Sequence, residues 1–115
     1  MTAAQAIAAV DSLRPNSYSE EQKLDWLKTL EERIRLDLLE PRGLPPPDPE
    51  QTDQLSAPVP FDRIYIHWLE SRVDYWNGEI GKFNNSHAMF MAEYEYWREV
   101  LNREHPRRGR KRRYW

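Results

Sequence analysis

The sequence predicts an all-α protein: a small helical bundle of about four helices built on an aromatic helical hairpin, with a long proline-rich loop and a basic C-terminal tail. Two observations lead there. Apolar residues recur at spacings of three and four in four separate segments, the period of an amphipathic helix. Ten of the fourteen aromatic residues fall between Phe61 and Arg103, which reads as two such helices folded back on each other. A chain of 115 residues is one domain with a modest core, so a single helical domain is expected over residues 1–105 and a basic tail over 106–115.

The first helix is expected at 3–13, where Ala3, Ala6, Ile7, Val10 and Leu13 share a face and Thr2 is the N-cap. Pro15 and Asn16 break it. The second, at 20–39, opens on Ser19-Glu20-Glu21-Gln22, which fits a capping box with two carboxylates at the positive end of the helix dipole. Its stripe is Leu24, Leu27, Leu30, Ile34 and Leu38, and it is expected to end before Pro41. Trp26 and Leu36 fall off that stripe, which means either a wider buried face or a second surface for another subunit.

Residues 41–60 hold seven of the nine prolines and read as a loop of polyproline character. It is either a disordered surface loop or an extended arm that orders against a neighbouring subunit, with Leu55 and Val59 as its apolar anchors.

The third helix is expected at 62–82, capped by Asp62, with Tyr65, Leu69, Val73, Trp76, Ile80 and Phe83 as its stripe, widened by Trp68 and Tyr75. Gly78 and Gly81 each cost about 1 kcal/mol against alanine inside a helix, so either the helix ends near them or a neighbour packs against their backbone. The turn is expected at Phe83-Asn84-Asn85-Ser86, because Asn and Ser cap helices and tolerate turns. The fourth helix then runs over 86–103, with Phe90, Tyr94, Trp97 and Leu101 as stripe and Met89 and Val100 beside it. These aromatics read as the packing seam of the hairpin, with Tyr96 at an exposed edge.

Composition narrows the function. Charged residues at 31%, apolar residues at 39% and a mean hydropathy of -0.93 describe a soluble chain whose core leans on aromatic bulk. No window approaches the roughly 18 apolar residues of a membrane span, and the N-terminus lacks a signal peptide's basic start, so the protein is expected to stay in the cytoplasm of the cell that makes it. The absence of cysteine removes disulfides, thiolate metal sites and cysteine nucleophiles. His67, His87 and His105 stand in no zinc-ligand spacing, and His67-Trp68-Leu69-Glu70 only reverses, without repeating, the Glu-x-x-His pair of a di-iron bundle. Four glycines build no phosphate loop, and Glu93, Glu95 and Glu99 fit a solvated helix face. We therefore expect no enzyme activity, no metal and no cofactor.

Six of the seventeen Lys and Arg residues lie between Pro106 and Trp115, leaving residues 1–105 with eleven basic against nineteen acidic residues, a net of about −8. The tail, Arg107, Arg108, Arg110, Lys111, Arg112 and Arg113 followed by Tyr114 and Trp115, is either a solvating end or a contact for an acidic protein surface or DNA phosphates. The acidic body argues against a general nucleic-acid-binding surface.

Pro15-Asn16, Tyr18-Ser19-Glu20-Glu21-Gln22-Lys23, Trp26-Leu27, Leu30-Glu31 and Ile34 form a pattern with a second set: Val59-Pro60-Phe61-Asp62, Ile64-Tyr65, Leu69, Asn77-Gly78-Glu79, Lys82 to Ser86, Met89-Phe90 and Asn102-Arg103. Together they span most of residues 5–103. The pattern resembles small head–tail connector (head-completion) proteins encoded by long-tailed phages and prophages of Gram-positive bacteria, although that family usually has tyrosine where Phe61 and Phe83 stand. The resemblance implies a structural adaptor, a virion protein of the head–tail neck. After assembly in the host cytoplasm it would form, in the virion, a homo-oligomeric ring joining the portal protein of the DNA-filled head to a tail-side neck or stopper protein, with no catalytic residues, and the isolated chain could be a monomer. Trp26, Leu36, Leu55 and Val59 are then candidate subunit contacts, and the tail residues from Arg107 to Trp115 candidate contacts to a partner or to packaged DNA. The alternative is a phage-encoded accessory protein that binds nucleic acid through its Arg-rich tail.

Overall fold

A computed structural model describes residues 1–47 and 53–107. The protein is all-α: α1 (Ala3–Leu13), α2 (Glu20–Ile34), a π-helical segment Arg35–Leu39, a 3₁₀ turn Glu40–Arg42, α3 (Arg63–Trp76) and α4 (Ile80–Glu104). Among the described residues the only strand-like pairing is an isolated bridge between Thr2 and Gln54.

Thr2 caps α1 with a full capping box: its hydroxyl accepts from the Gln5 backbone N–H at 3.1 Å and the Gln5 side chain accepts from the Thr2 N–H at 2.9 Å. At α2 only the serine half of the expected box forms, with Ser19 Oγ accepting from the Gln22 N–H at 3.1 Å. Ala6, Ile7 and Val10 bury the inner face of α1, and Leu27, Leu30 and Ile34 that of α2. Lys23 extends that stripe one turn backward and is itself buried, its ammonium 2.6 Å from the Asp11 carboxylate. The pair joins α1 to α2.

The second helix runs to Leu39 as expected, its last five residues in π geometry, and a separate 3₁₀ turn then carries the chain past Pro41. The π segment brings both Leu38 and Leu39 into the core. Pro41 is accommodated because it falls in the first turn of the 3₁₀ segment, where its missing N–H costs nothing. Gly43, at φ 69°, ends the run in a left-handed conformation suited to glycine.

The hairpin turn lies elsewhere than the Asn-Ser run suggests. It is formed by Asn77-Gly78-Glu79, with Gly78 at φ 75° and the Glu79 N–H donating to the Asp74 carbonyl at 2.9 Å. Phe83 to Ser86 are interior to α4. A positive φ is cheap only for glycine, and that requirement outweighs the turn preference of Asn84 and Asn85. Ile80 and Phe83 consequently belong to α4. Asp62 stands at the start of α3 without capping it, and its carboxylate pairs instead with the Met1 ammonium at 3.5 Å.

The third helix contacts each of the other three and is buried on most of its circumference, including Ile64, Tyr65, Trp68, Leu69 and Val73. Against α4, the Trp68 ring meets Phe90 at 5.2 Å and Phe90 stacks on Tyr94 at 5.4 Å. Toward α2, the Trp68 indole N–H donates to the Trp26 carbonyl at 2.8 Å. Residues 53–61 return along the same chain: the Leu55 N–H donates to the Met1 carbonyl, Ala57 is buried, and Phe61 stacks on Trp97 at 6.2 Å.

Candidate functional site

Three groupings of polar and aromatic residues emerge from this packing. In the first, α1, α3 and α4 are tied by a chain of side-chain bonds. His67 Nδ1 lies 3.1 Å from Glu70, Arg14 reaches Glu70 at 3.4 Å and Asp74 at 3.2 Å, and the Ser86 hydroxyl donates to Asp74 at 2.9 Å. Asp74 is 1% exposed. A carboxylate so deep needs both partners, because an unpaired buried charge is strongly destabilising. Beside this chain lies a pocket of about 260 Å³ with Leu13, Ile66 and Met89 among its walls. The Ser86 hydroxyl lies within bonding distance of Asp74 and of the Lys82 and Phe83 carbonyls, and His67 meets Glu70 through Nδ1 while its Nε2 is buried without a hydrogen-bond partner among the described residues.

The second grouping is an aromatic column on α4. Phe83 stacks on His87 at 5.2 Å, His87 on Phe90 at 6.2 Å, and the Arg72 guanidinium lies over the rings of Trp68, Tyr75 and Phe83 at 4.6–5.6 Å. Burial, reinforced by the charges of Arg72 and Arg33, pushes the His87 imidazole below its usual range. His87 therefore serves the column as a neutral ring.

The third is the open end of the hairpin. Trp76 is 61% and Ile80 59% exposed, with Tyr75 beside them, its ring edge-on to Trp76 at 5.3 Å. Tyr18, Gln22, Trp26 and Trp76 enclose a groove of about 180 Å³ here. Tyr18 is held in place by its hydroxyl, which donates to Asn77 at 2.8 Å, and by an edge contact to the Trp26 ring at 5.4 Å. Among the described residues, no group of His, Asp or Glu is placed to hold a metal ion, and no helix is long and apolar enough to cross a membrane.

The residues expected to make subunit contacts are dispersed. Trp26 is a core residue whose edge lines the groove, and Leu55 packs against the core of its own chain. Leu36 at 53% and Val59 at 77% exposure are open to solvent. Of the tail, Arg107 is exposed, and Arg108, Arg110, Lys111, Arg112, Arg113, Tyr114 and Trp115 lie outside the described residues.

The Asp74 cluster escaped the sequence reading, although a signal was present. Continuing the stripe Phe90, Tyr94, Trp97 and Leu101 one turn backward lands on Ser86, a polar residue on an apolar face. Comparison with family models, curated proteins and solved structures finds no match to this chain.

Proposed function

We propose that the chain is a non-enzymatic structural adaptor of a long-tailed phage virion. It would be a head–tail connector subunit that assembles into a ring between the portal of the DNA-filled head and a tail-side neck or stopper protein. What supports this reading is the residue pattern spread over residues 5–103 together with one structural observation: the exposed end of the hairpin at Tyr75, Trp76 and Ile80. Large apolar side chains clustered in the open at one end of a helical body are a surface for a partner. The Ser86–Asp74, Arg14–Asp74 and Tyr94–Asp37 contacts, in contrast, join one element of the bundle to another.

A ring demands heterologous contacts, one face of a subunit meeting a different face of the next. The hairpin end and the exposed Leu36 and Val59 present separate apolar surfaces that suit such contacts. The tail supplies a basic contact to an acidic portal surface or to packaged DNA, and its pull would fall as salt rises.

The purified chain should co-sediment with portal assemblies and be detected in purified virions. Failure of both would remove the proposal. If a chain lacking residues 106–115 kept portal binding but lost salt-sensitive DNA binding, the nucleic-acid accessory reading would take precedence. Portal, capsid and tail genes beside the coding sequence would favour the adaptor, and replication or regulatory genes would count against it.

A further inference from the structure

The groove at the hairpin end has the chemistry of a binding site for this chain's own tail, supplied by another copy. We propose that Tyr114 and Trp115 of one copy dock in the groove formed by Tyr18, Gln22, Trp26 and Trp76 of a second copy, and that Arg110 to Arg113 lie over Glu21 and Asp25 beside it. The chain would then associate head to tail. This rests on the reading of the protein as a homo-oligomeric subunit, and it names the contact.

Complementarity is the first support. Aromatic walls accept aromatic side chains, with edge and offset stacking adding to the area buried. Glu21 and Asp25 each precede a groove residue on α2, are exposed, and form no ion pair with a described residue. The segment 110–115 carries the matching sequence, four cations followed by Tyr-Trp.

Reach is the second. Arg42 donates to Asn102 in the last turn of α4, so α4 ends beside Arg42. At a rise of about 1.5 Å per residue, Glu21 lies about 32 Å of helix away from Arg42. From Arg107 to Arg113 the backbone spans at most about 22 Å when fully extended. With Trp26 about 24 Å of helix from Arg42 and at most about 29 Å of extended backbone from Arg107 to Trp115, a copy's own tail reaches its own groove only when drawn out nearly straight along α2. A neighbouring copy meets no such limit, and the resulting contact is heterologous, as closing rings or extending filaments require.

The test uses full-length chains. In a Trp115→Ala chain, whose own tail is disarmed, a labelled peptide of residues 106–115 should bind saturably, less tightly as salt rises. Adding Trp76→Ala should weaken that binding about tenfold, the scale of losing an anchoring aromatic. Undiminished peptide binding by the double variant, or no binding to either, overturns the proposal. So does equal binding of a peptide in which Tyr114 and Trp115 are alanine.

Sedimentation separates docking between copies from docking within one. Trp76→Ala chains and Trp115→Ala chains should each be monomeric with unchanged thermal melts. Mixed in equal amounts they should form a dimer through the one junction with both halves intact. A mixture that stays monomeric, or an unaltered monomer whose own tail blocks the peptide, overturns the arrangement in trans. Portal co-sedimentation reports on the adaptor reading separately: variants that lose docking and keep portal binding sink the docking alone.

Discussion

Ser86 donates its hydroxyl to Asp74 across 2.9 Å, linking the second turn of α4 to the last turn of α3 deep below the hairpin loop. Arg14 is the other partner of the same carboxylate. Replacing Ser86 with alanine removes one donor from a charge that water does not reach, so we expect a loss of about 1–3 kcal/mol in unfolding free energy. Denaturant titration checks this. A Ser86→Ala chain as stable as the unaltered one would mean that Arg14 alone satisfies Asp74.

The hairpin turn gives a paired prediction. Gly78 sits at φ 75° with open space around it, so alanine there meets backbone strain and no steric clash. Gly78→Ala should cost about 1–2 kcal/mol. Gly81, inside the first turn of α4 and equally uncrowded, has no such strain, and Gly81→Ala should be neutral or stabilising by up to about 1 kcal/mol. Thermal melts of the two variants should shift in opposite directions, or in one direction only for Gly78. Equal losses in both would place the loop's constraint elsewhere.

Tyr65 holds the described end of the proline-rich segment to the bundle. Its hydroxyl donates to Glu31 and accepts from the Ala57 N–H at 2.8 Å, while Glu31 also accepts from the Ser56 N–H at 3.0 Å and hydroxyl at 2.7 Å. Tyr65→Phe preserves the ring in the core and strands the buried Ala57 N–H. The expected loss is about 1–3 kcal/mol. Hydrogen exchange should show faster exchange at Ser56 and Ala57 than in the unaltered chain, and unchanged protection there would refute the tether.

The all-α class was legible because each helix carries its own apolar stripe, and Phe90, Tyr94, Trp97 and Leu101 are buried together as their spacing requires. What the residues concealed was competition between two rules. Asn84, Asn85 and Ser86 look like a turn, yet Asn77-Gly78 is the turn, since only the glycine accepts its left-handed backbone. Once the break moved upstream, Ser86 changed from cap to buried ligand of Asp74. The π segment was likewise illegible: a period of 3.6 cannot foretell that Leu38 and Leu39 are both buried. The candidate groove needed the fold, because Tyr18, Trp26 and Trp76 meet only when the start of α2 lies beside the end of α3.

That π segment also directs Asp37 toward α4, where it accepts from Tyr94 at 2.9 Å and from Arg98 at 2.9 and 3.2 Å. Burial by itself would raise the Asp37 carboxyl, but the bonds from Tyr94 and Arg98 and the charges of Arg98 and Arg33 outweigh it and hold it below the usual carboxylate range. Burial, then the bond to Asp37, pushes the Tyr94 phenol upward, so it remains a donor through the neutral range. A carboxyl depressed in the folded state stabilises fully above its unfolded value, near pH 3.9, and loses that contribution as pH falls through the folded value. Asp37→Asn should therefore cost about 1 kcal/mol at neutral pH, discounted for the partial exposure of the pair. The cost should shrink under acid, so that unfolding free energy plotted against pH falls less steeply below pH ~4 than in the unaltered chain. Some slope should persist, because Asp11, bonded to Lys23 and Asn16, is also held low against its own burial. Two parallel curves from neutral pH into the acid range would show that Asp37 carries no charge-dependent share of the fold.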